Sequence, residues 1–598
     1  MIPINKPNKS LFDLSYTKRL TGDMGYLYIT LCEEVVAGDV WKVSNQSVVK
    51  FMPLARPLQS DVNVQTNYFF VPYRLLDEDK FESIFTGCKG GKPLDADTSF
   101  IELPKILNTT RTDGYIDRII KDSNGNPTYS LLDQLGFPIR LNYADTSSTG
   151  YNYWHTIGNL SDNKAKYYRS PMFYPVSAYF KIWNEWYRDE NLDDFTYEPT
   201  YTVSSEGYRF GSMYKISSDG TATQAYMTSL KCRWNKDYFV GALPYAQRGT
   251  APALPVSGLL PIGTLDTVND YCYTNSGWTL TTDSETSRVA EPNSTILDKT
   301  LGWYSMTDGT IGQSLPTAGQ TDTYLSLSEK VSDNTSSISG QRRPFVADLS
   351  NGITFDINDL RLAFSIQRWL EKSNICGGRF HEYLLGHFGT APNDDTLQRP
   401  LYLGGLYSTV SNGSVIQTSE SGTTVQGNET GRSIGTCDGF AFKYHVKEPG
   451  IVMGLTCVKP KVCYDSQGIP RQWIKNNRYD FFFPEFSGLG EQEVLNMELF
   501  AQGTDADTEI FGFQGRYDEM RSRQDFNCGL MRADSDYNKW SLNRHFSSLP
   551  TLSTSFIECS PDTDRIKAVT TEPMFILEVH NIIKALRPIP RYPMPSGL

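Results

Sequence analysis

Histidine is scarce in this chain: His155, His381, His387, His445, His545 and His580 are the only six in 598 residues. His381 and His387 are the closest two, and at six positions apart they fall on different faces of a helix, which excludes the i, i+4 metal pair. The 10 cysteines contain no C-x-x-C, and the nearest pair is Cys457 and Cys463. That excludes zinc spacing and a dense disulfide framework, and leaves scattered buried thiols as the expectation. No stretch approaches the roughly 18 apolar residues of a membrane span. The opening MIPINKPNKSLFDLS has no apolar segment of the export type, so neither a signal peptide nor membrane insertion is expected. Positive charge is also in deficit. With 56 Lys and Arg against 68 Asp and Glu, the net charge is −12. Such a chain cannot neutralise phosphates by itself, so any nucleic-acid contact needs a local basic face or a basic partner.

Catalytic motifs are missing as well. Gly87-Cys-Lys-Gly-Gly-Lys92-Pro93 is the nearest approach to a phosphate-binding loop, but its first glycine is one residue too close to the Gly-Lys pair. Pro93 stands where a hydroxyl would hold magnesium, so the segment reads as a turn. There is no G-x-S-x-G nucleophile elbow. Glu485, Glu491 and Glu493 cluster, and Glu33 adjoins Glu34, but acid/base work needs a fold that gathers carboxylates in a cleft. The default is solvated or structural acids. The expectation is a protein that is not an enzyme, with no cofactor and no metal site.

What the chain does have is aromatic side chains, 35 Tyr, 31 Phe and 10 Trp, beside 47 Gly and 32 Pro. That balance favours strands joined by long turns. Asp61 to Val71 alternates Val62, Val64, Thr66, Tyr68 and Phe70 with Asn63, Gln65 and Asn67, the pattern of a half-buried strand. Tyr26 to Val35 and Val40 to Phe51 flank a Gly38-Asp39 turn, and Gly450 to Tyr464 and Pro573 to Ala585 repeat the β character near the other end. Helical periodicity predicts Pro175 to Asn191, Ile357 to Lys372 and Arg379 to Phe388, the last ending at Gly389. The stripes Val176, Tyr179, Phe180, Trp183, Trp186, Tyr187 and Leu360, Ala363, Phe364, Gln367, Leu370 are expected in the core. Blocks near 89–170, 193–230, 250–354 and 400–440 are polar and loop-like. No internal repeat or Pro-rich linker divides the chain, so one domain, 1–598, with large insertions is expected.

Several strings, in order along the chain, resemble the major capsid proteins of the microviruses (Microviridae), in particular the gokushovirus-like branch. They begin with Phe12-Asp-Leu-Ser15, Asp23-Met-Gly25, Cys32-Glu-Glu-Val35 and Tyr68-Phe-Phe-Val-Pro-Tyr-Arg-Leu-Leu76. PVSAYFKIWNEWYRDENL at 175–192 and RWNKDYFVGALPYAQRG at 233–249 follow. The densest match is INDLRLAFSIQRWLEK at 357–372, which continues through RFHEYLLGHFG and LQRPLYLGG to Gly405. GIVMGLTCVKPKVCYDSQGIPRQW at 450–473, YDFFFPEFSGLGEQEVLN at 479–496 and FGFQGRYDEMRSR at 511–523 complete the series. The matches cover about half the residues, and the gaps coincide with the loop-rich blocks. The chain is longer than the gokushovirus pattern, and 89–170 and 400–440 have no counterpart in it.

The resemblance implies a mainly β fold, an eight-stranded antiparallel viral jelly roll with long loop insertions and a few short helices. It implies a structural subunit, sixty copies of which form a T=1 icosahedral shell around a circular single-stranded DNA phage genome. Implied partners are a small basic DNA-packaging protein, scaffolding and pilot proteins, and a bacterial surface receptor, with assembly in the host cytoplasm. The block 250–354 is the candidate threefold surface protrusion. Lys6, Lys9, Lys18 and Arg19, with Lys584, Arg587 and Arg591, form candidate basic patches on mobile termini for the genome. Two other readings stay open at this point: a decoration or attachment protein with carbohydrate-binding loops, and a β-rich glycoside hydrolase using the carboxylates above.

Overall fold

The computed structural model describes residues 9–77, 81–86, 88–89, 92–93, 105–106, 129–139, 169–203, 209–252, 357–422 and 425–592, together with paired strands between 262 and 347. Eight strands form the framework of two antiparallel sheets, the first of which Ser10–Asp13 and Ser411–Ile416 extend: β1 (Tyr16–Gly22), β2 (Leu27–Val35), β3 (Val40–Phe51), β4 (Val62–Pro72), β5 (Leu401–Thr409), β6 (Glu429–His445), β7 (Gly450–Pro460) and β8 (Phe575–Arg587). One sheet runs β1-β8-β3-β6 and the other β5-β4-β7-β2. Successive strands change sheet at every step except β4 to β5, which is the strand order of a jelly roll. Two long connections, 73–400 between β4 and β5 and 461–574 between β7 and β8, hold most of the remaining chain.

The alternation seen in the sequence of β3 sets its register. Trp41, Val43, Val49 and Phe51 point inward and are buried, while Lys42, Gln46, Val48 and Lys50 face out. The space between the sheets holds two apolar clusters, one around Tyr28, Val49, Val64 and Phe575, the other around Leu31, Trp41, Tyr68 and Phe442. Buried polar side chains from both sheets also lie in the sandwich. Thr456 Oγ1 lies 3.0 Å from Thr30 Oγ1 and 2.9 Å from Thr66 Oγ1. Asn45 donates to Tyr68 OH at 2.6 Å, and Asn581 donates to the Thr30 carbonyl at 3.0 Å. Buried polar groups are tolerable when bonded in this way, and they penalise any slip that would separate them.

The two sheets differ on their outer faces. The β1-β8-β3-β6 sheet alternates buried and exposed residues, as a sheet wet on one side must. In the other sheet β7 is buried along nearly its whole length, and Asn63 of the expected polar face of β4 is only 4% exposed. The insertions cover this face. Helix α1 (Tyr174–Ile182), with Pro175 in its first turn, lies against it, and Tyr179 OH donates to the Leu27 carbonyl at 3.0 Å. A π-helical turn, Trp183–Tyr187, follows α1, and Tyr187 OH accepts from Asn67 at 3.0 Å. Cys457 on this face is disulfide-bonded to Cys232, a pair that isolated thiol positions do not disclose.

Other expectations need correction. The 400–440 block is not a loop, since β5 and most of β6 lie within it. Gly404, Gly405, Gly431, Gly435 and Gly439, with the polar outward residues, mask the strand pattern. The 193–230 block carries a three-stranded sheet, Phe195–Val203, Arg209–Ser217 and Ala222–Gln224. Helix α2 (Ile357–Cys376) forms, but its expected core stripe is not buried: Phe364 is 67% exposed and only Leu370 is covered. Helix α3 (Phe380–Phe388) ends at Gly389 with φ of 69°, the left-handed cap the sequence predicts, and buries no side chain. The chain divides into two compact units, Met1–Thr250 with Trp369–Leu598, and Ala251–Arg368. Most of 89–170 and 250–354 lies outside the described residues. Within the second unit Leu280–Asp283 pairs with Thr286–Val289, and Leu301–Ser305 pairs with Thr323–Leu327.

Tyr68→Phe removes the 2.6 Å partner of buried Asn45 and is expected to cost about 1–3 kcal/mol in chemical denaturation. Val48→Thr on the wet face should stay within about 0.5 kcal/mol. Equal effects would contradict the assigned register.

Candidate functional site

Pairing of β1 and of Ser10–Asp13 with β8 brings Lys18, Arg19, Lys584 and Arg587, from opposite ends of the chain, onto neighbouring strands of one sheet. Most of them are tied down in strands rather than carried on free tails. Lys18 points inward. Its ammonium donates to the carbonyl of Ile29 at 2.6 Å and to that of Gln134, and burial pushes its pKa down to about 8. Arg587 lies over Trp41 and is 3.3 Å from the buried carboxylate of Asp39. Lys9 donates to the Gly38 carbonyl at 2.5 Å, and Arg19 pairs with Glu578 at 2.7 Å on the surface. Lys584 pairs with Asp13, and this contact, with Ser15, holds the Asp13 carboxyl down at about 2. Arg591 is exposed, and Lys6 lies outside the described residues.

The sheet adds cations that the reading of the termini missed. Lys42 of β3 is directly opposite Lys584 of β8 on one side and Lys443 of β6 on the other. All three are exposed on the wet face, with Asp13 next to Lys584 at the edge. Opposed like charges on neighbouring strands destabilise a sheet, so such a row needs a counter-charge from elsewhere. Phe440, opposite Ser44 and 55% exposed, places its ring 5.8 Å from the Lys42 ammonium. Cations at the interstrand spacing of about 4.8 Å, beside an open aromatic face, can meet phosphates and stack a base. The alternation of β3 puts Lys42 outward. Its meeting with Lys443 depends on topology, which no local pattern carries.

The carboxylate cluster does not assemble as its spacing suggests. Glu485 sits in the 3₁₀ turn Pro484–Phe486, and Glu493 is exposed on the strand Glu491–Leu495. Burial and the neighbouring carboxylates of Asp518 and Glu371 push Glu491 up to about 7. Glu491 and Asp518 line a cleft of about 900 Å³. Two cations of that cleft are paired internally, Arg233 with Asp193 at 2.6 Å and Arg379 with Glu190 at 2.9 Å. Asp465, Asp534 and His545, which no sequence spacing links, have ligand atoms within 4.8 Å of one another. Asp465 already accepts from the Ala533 amide at 2.9 Å and from Asn543, and contacts His545 Nδ1 at 2.7 Å. Asp465 thereby works as a clasp between the 463–465 and 533–545 segments.

Comparison with known proteins agrees with this geometry. The family described as capsid protein (F protein) matches residues 1–171 and 146–596. Capsid protein VP1 of Chlamydia phage 1 is 30% identical over 623 residues, covering 100% of this chain and 96% of that protein. Capsid protein VP1 of Bdellovibrio phage phiMH2K is 28% identical over 575 residues, covering 95% and 91%. Capsid protein VP1 of Spiroplasma virus 4 is 28% identical over 438 residues, covering 70% and 72%. A jelly roll matched end to end by coat proteins is a structural subunit: the chain belongs to the phage F-protein family of capsid proteins.

Proposed function

We propose that sixty copies of this chain build a small T=1 icosahedral shell around a circular single-stranded DNA phage genome. The observation that carries this reading is the match of capsid relatives along the entire chain, coinciding with a jelly roll that both chain ends close. In this reading the wet face with Lys42, Lys443 and Lys584 meets DNA phosphates, and the exposed Arg591 adds charge. The net charge of −12 leaves the remaining neutralisation to a small basic packaging protein. Scaffolding and pilot proteins act during assembly in the host cytoplasm. The 250–354 block, most of which falls in the second compact unit, forms the surface protrusion that contacts the bacterial receptor.

Replacing Lys42, Lys443 and Lys584 together by Gln should weaken binding of single-stranded DNA. Three lost phosphate contacts at about 0.7 each should flatten the slope of log K against log salt by about 2. An unchanged slope removes the face from the genome contact. Deletion of 265–340 should leave particles in electron micrographs and abolish attachment to host cells. Unchanged attachment would refute the receptor role.

A further inference from the structure

Among the described residues, the connection between β7 and β8 carries apolar side chains that stand exposed. Trp473 is 73% exposed, Tyr479 63%, Phe481 55% and Leu489 62%. They stand on an ordered frame. Asn477 Oδ1 accepts from the Tyr479 amide at 2.7 Å, and Asp480 Oδ2 accepts from the amides of Asn476 and Asn477 at 2.7 and 2.8 Å. Tyr517 OH donates to the Phe481 carbonyl at 3.3 Å, and its ring lies 4.9 Å from that of Phe482. The frame continues onto the C-terminal half of α2, where a Cβ on Gly490 would meet the Glu371 carboxyl carbon at 3.1 Å. That half of α2 is bonded in turn to α3, Trp369 Nε1 donating to Tyr383 OH at 2.9 Å. Phe380 and Phe388 of α3 are 65% and 68% exposed.

The size of this surface argues for a protein partner. Large aromatic side chains cover about 150–250 Å² each, so at these exposures the six residues, with Phe482 and Trp369, present on the order of 1,000 Å² of apolar area. A solvated monomer rarely shows a patch above roughly 300–600 Å². One side of a standard stable interface is about 800 Å². Fixed charge within 473–489 balances, Lys475 and Arg478 against Asp480 and Glu485. The surface therefore offers phosphates no excess of cations, unlike the lysine row on the wet sheet. Aromatic, neutral and rigid surface is what the centre of a permanent interface is made of.

We propose that residues 473–489, with α3 and the C-terminal half of α2, form the surface by which each subunit grips a second copy of this chain. The inference rests on the coat-protein reading, in which a closed shell requires every copy to bury such surfaces against its neighbours. It adds which surface is used.

The test compares hydroxyl-radical oxidation of Trp473, Tyr479 and Phe481 in dissociated subunits and in assembled particles, read by mass spectrometry. The expected result is oxidation falling to background in particles. A Trp473→Ser/Phe481→Ser double variant is expected to keep the subunit's melting temperature and to raise the concentration needed for assembly by about tenfold or more. Particles in which the three side chains stay fully reactive would overturn the proposal and leave the coat reading standing. Wild-type protein that forms no particle under any condition overturns both. Protection that single-stranded DNA produces in dissociated subunits would also overturn it, by making nucleic acid the occupant.

Discussion

The structure depends on the insertion of β8 between β1 and β3. Until residues 575–587 arrive, the inward face of β3 has no neighbour on one side and the first sheet cannot close. Their arrival zips Phe575 to Leu586 against Phe51 to Val40 and places Asn581 on the Thr30 carbonyl of the opposite sheet. Contacts between residues so far apart in sequence form late and slowly. They also fix the points of the framework at which the long connections, between β4 and β5 and between β7 and β8, begin and end.

The unequal treatment of the two sheets follows from this. The sheet containing β4 and β7 has given its outer face to the insertions, with α1, the Cys232–Cys457 link and the aromatic side chains around Phe69 sealing it. The sheet containing β3 and β8 keeps its outer face wet and carries Lys42, Lys443 and Lys584 in register. A subunit built in this way separates its tasks. A charged sheet face stays open to solvent, while the covered sheet supports long connections that carry exposed apolar side chains.

Much of the framework is legible in the sequence because strands wet on one side alternate. The bounds of β3 agree with the expectation, and those of β2, β4 and β8 differ by one or two residues. β5 and β6 escape because glycines and Ser/Thr residues blur the alternation, and because their polar outward residues resemble those of a loop. The terminal basic residues are visible as charges but not as partners. Lys18 looks like a surface cation and is a half-buried tie from β1 to β2 and to the short helix Leu131–Gln134, because its role depends on carbonyls at Ile29 and Gln134. The stripe on α2 shows the opposite failure. Helical periodicity reports a face that needs covering, and it cannot say whether the cover comes from the same chain or from another copy.

The central claim, that this framework exists to tile a closed shell, is tested most directly by the mass distribution of purified particles. Charge-detection mass spectrometry should give a single narrow species near sixty times 67.5 kDa, about 4 MDa of protein. A stable 67.5 kDa monomer at every concentration and salt condition, or a continuous ladder of open assemblies, would contradict it.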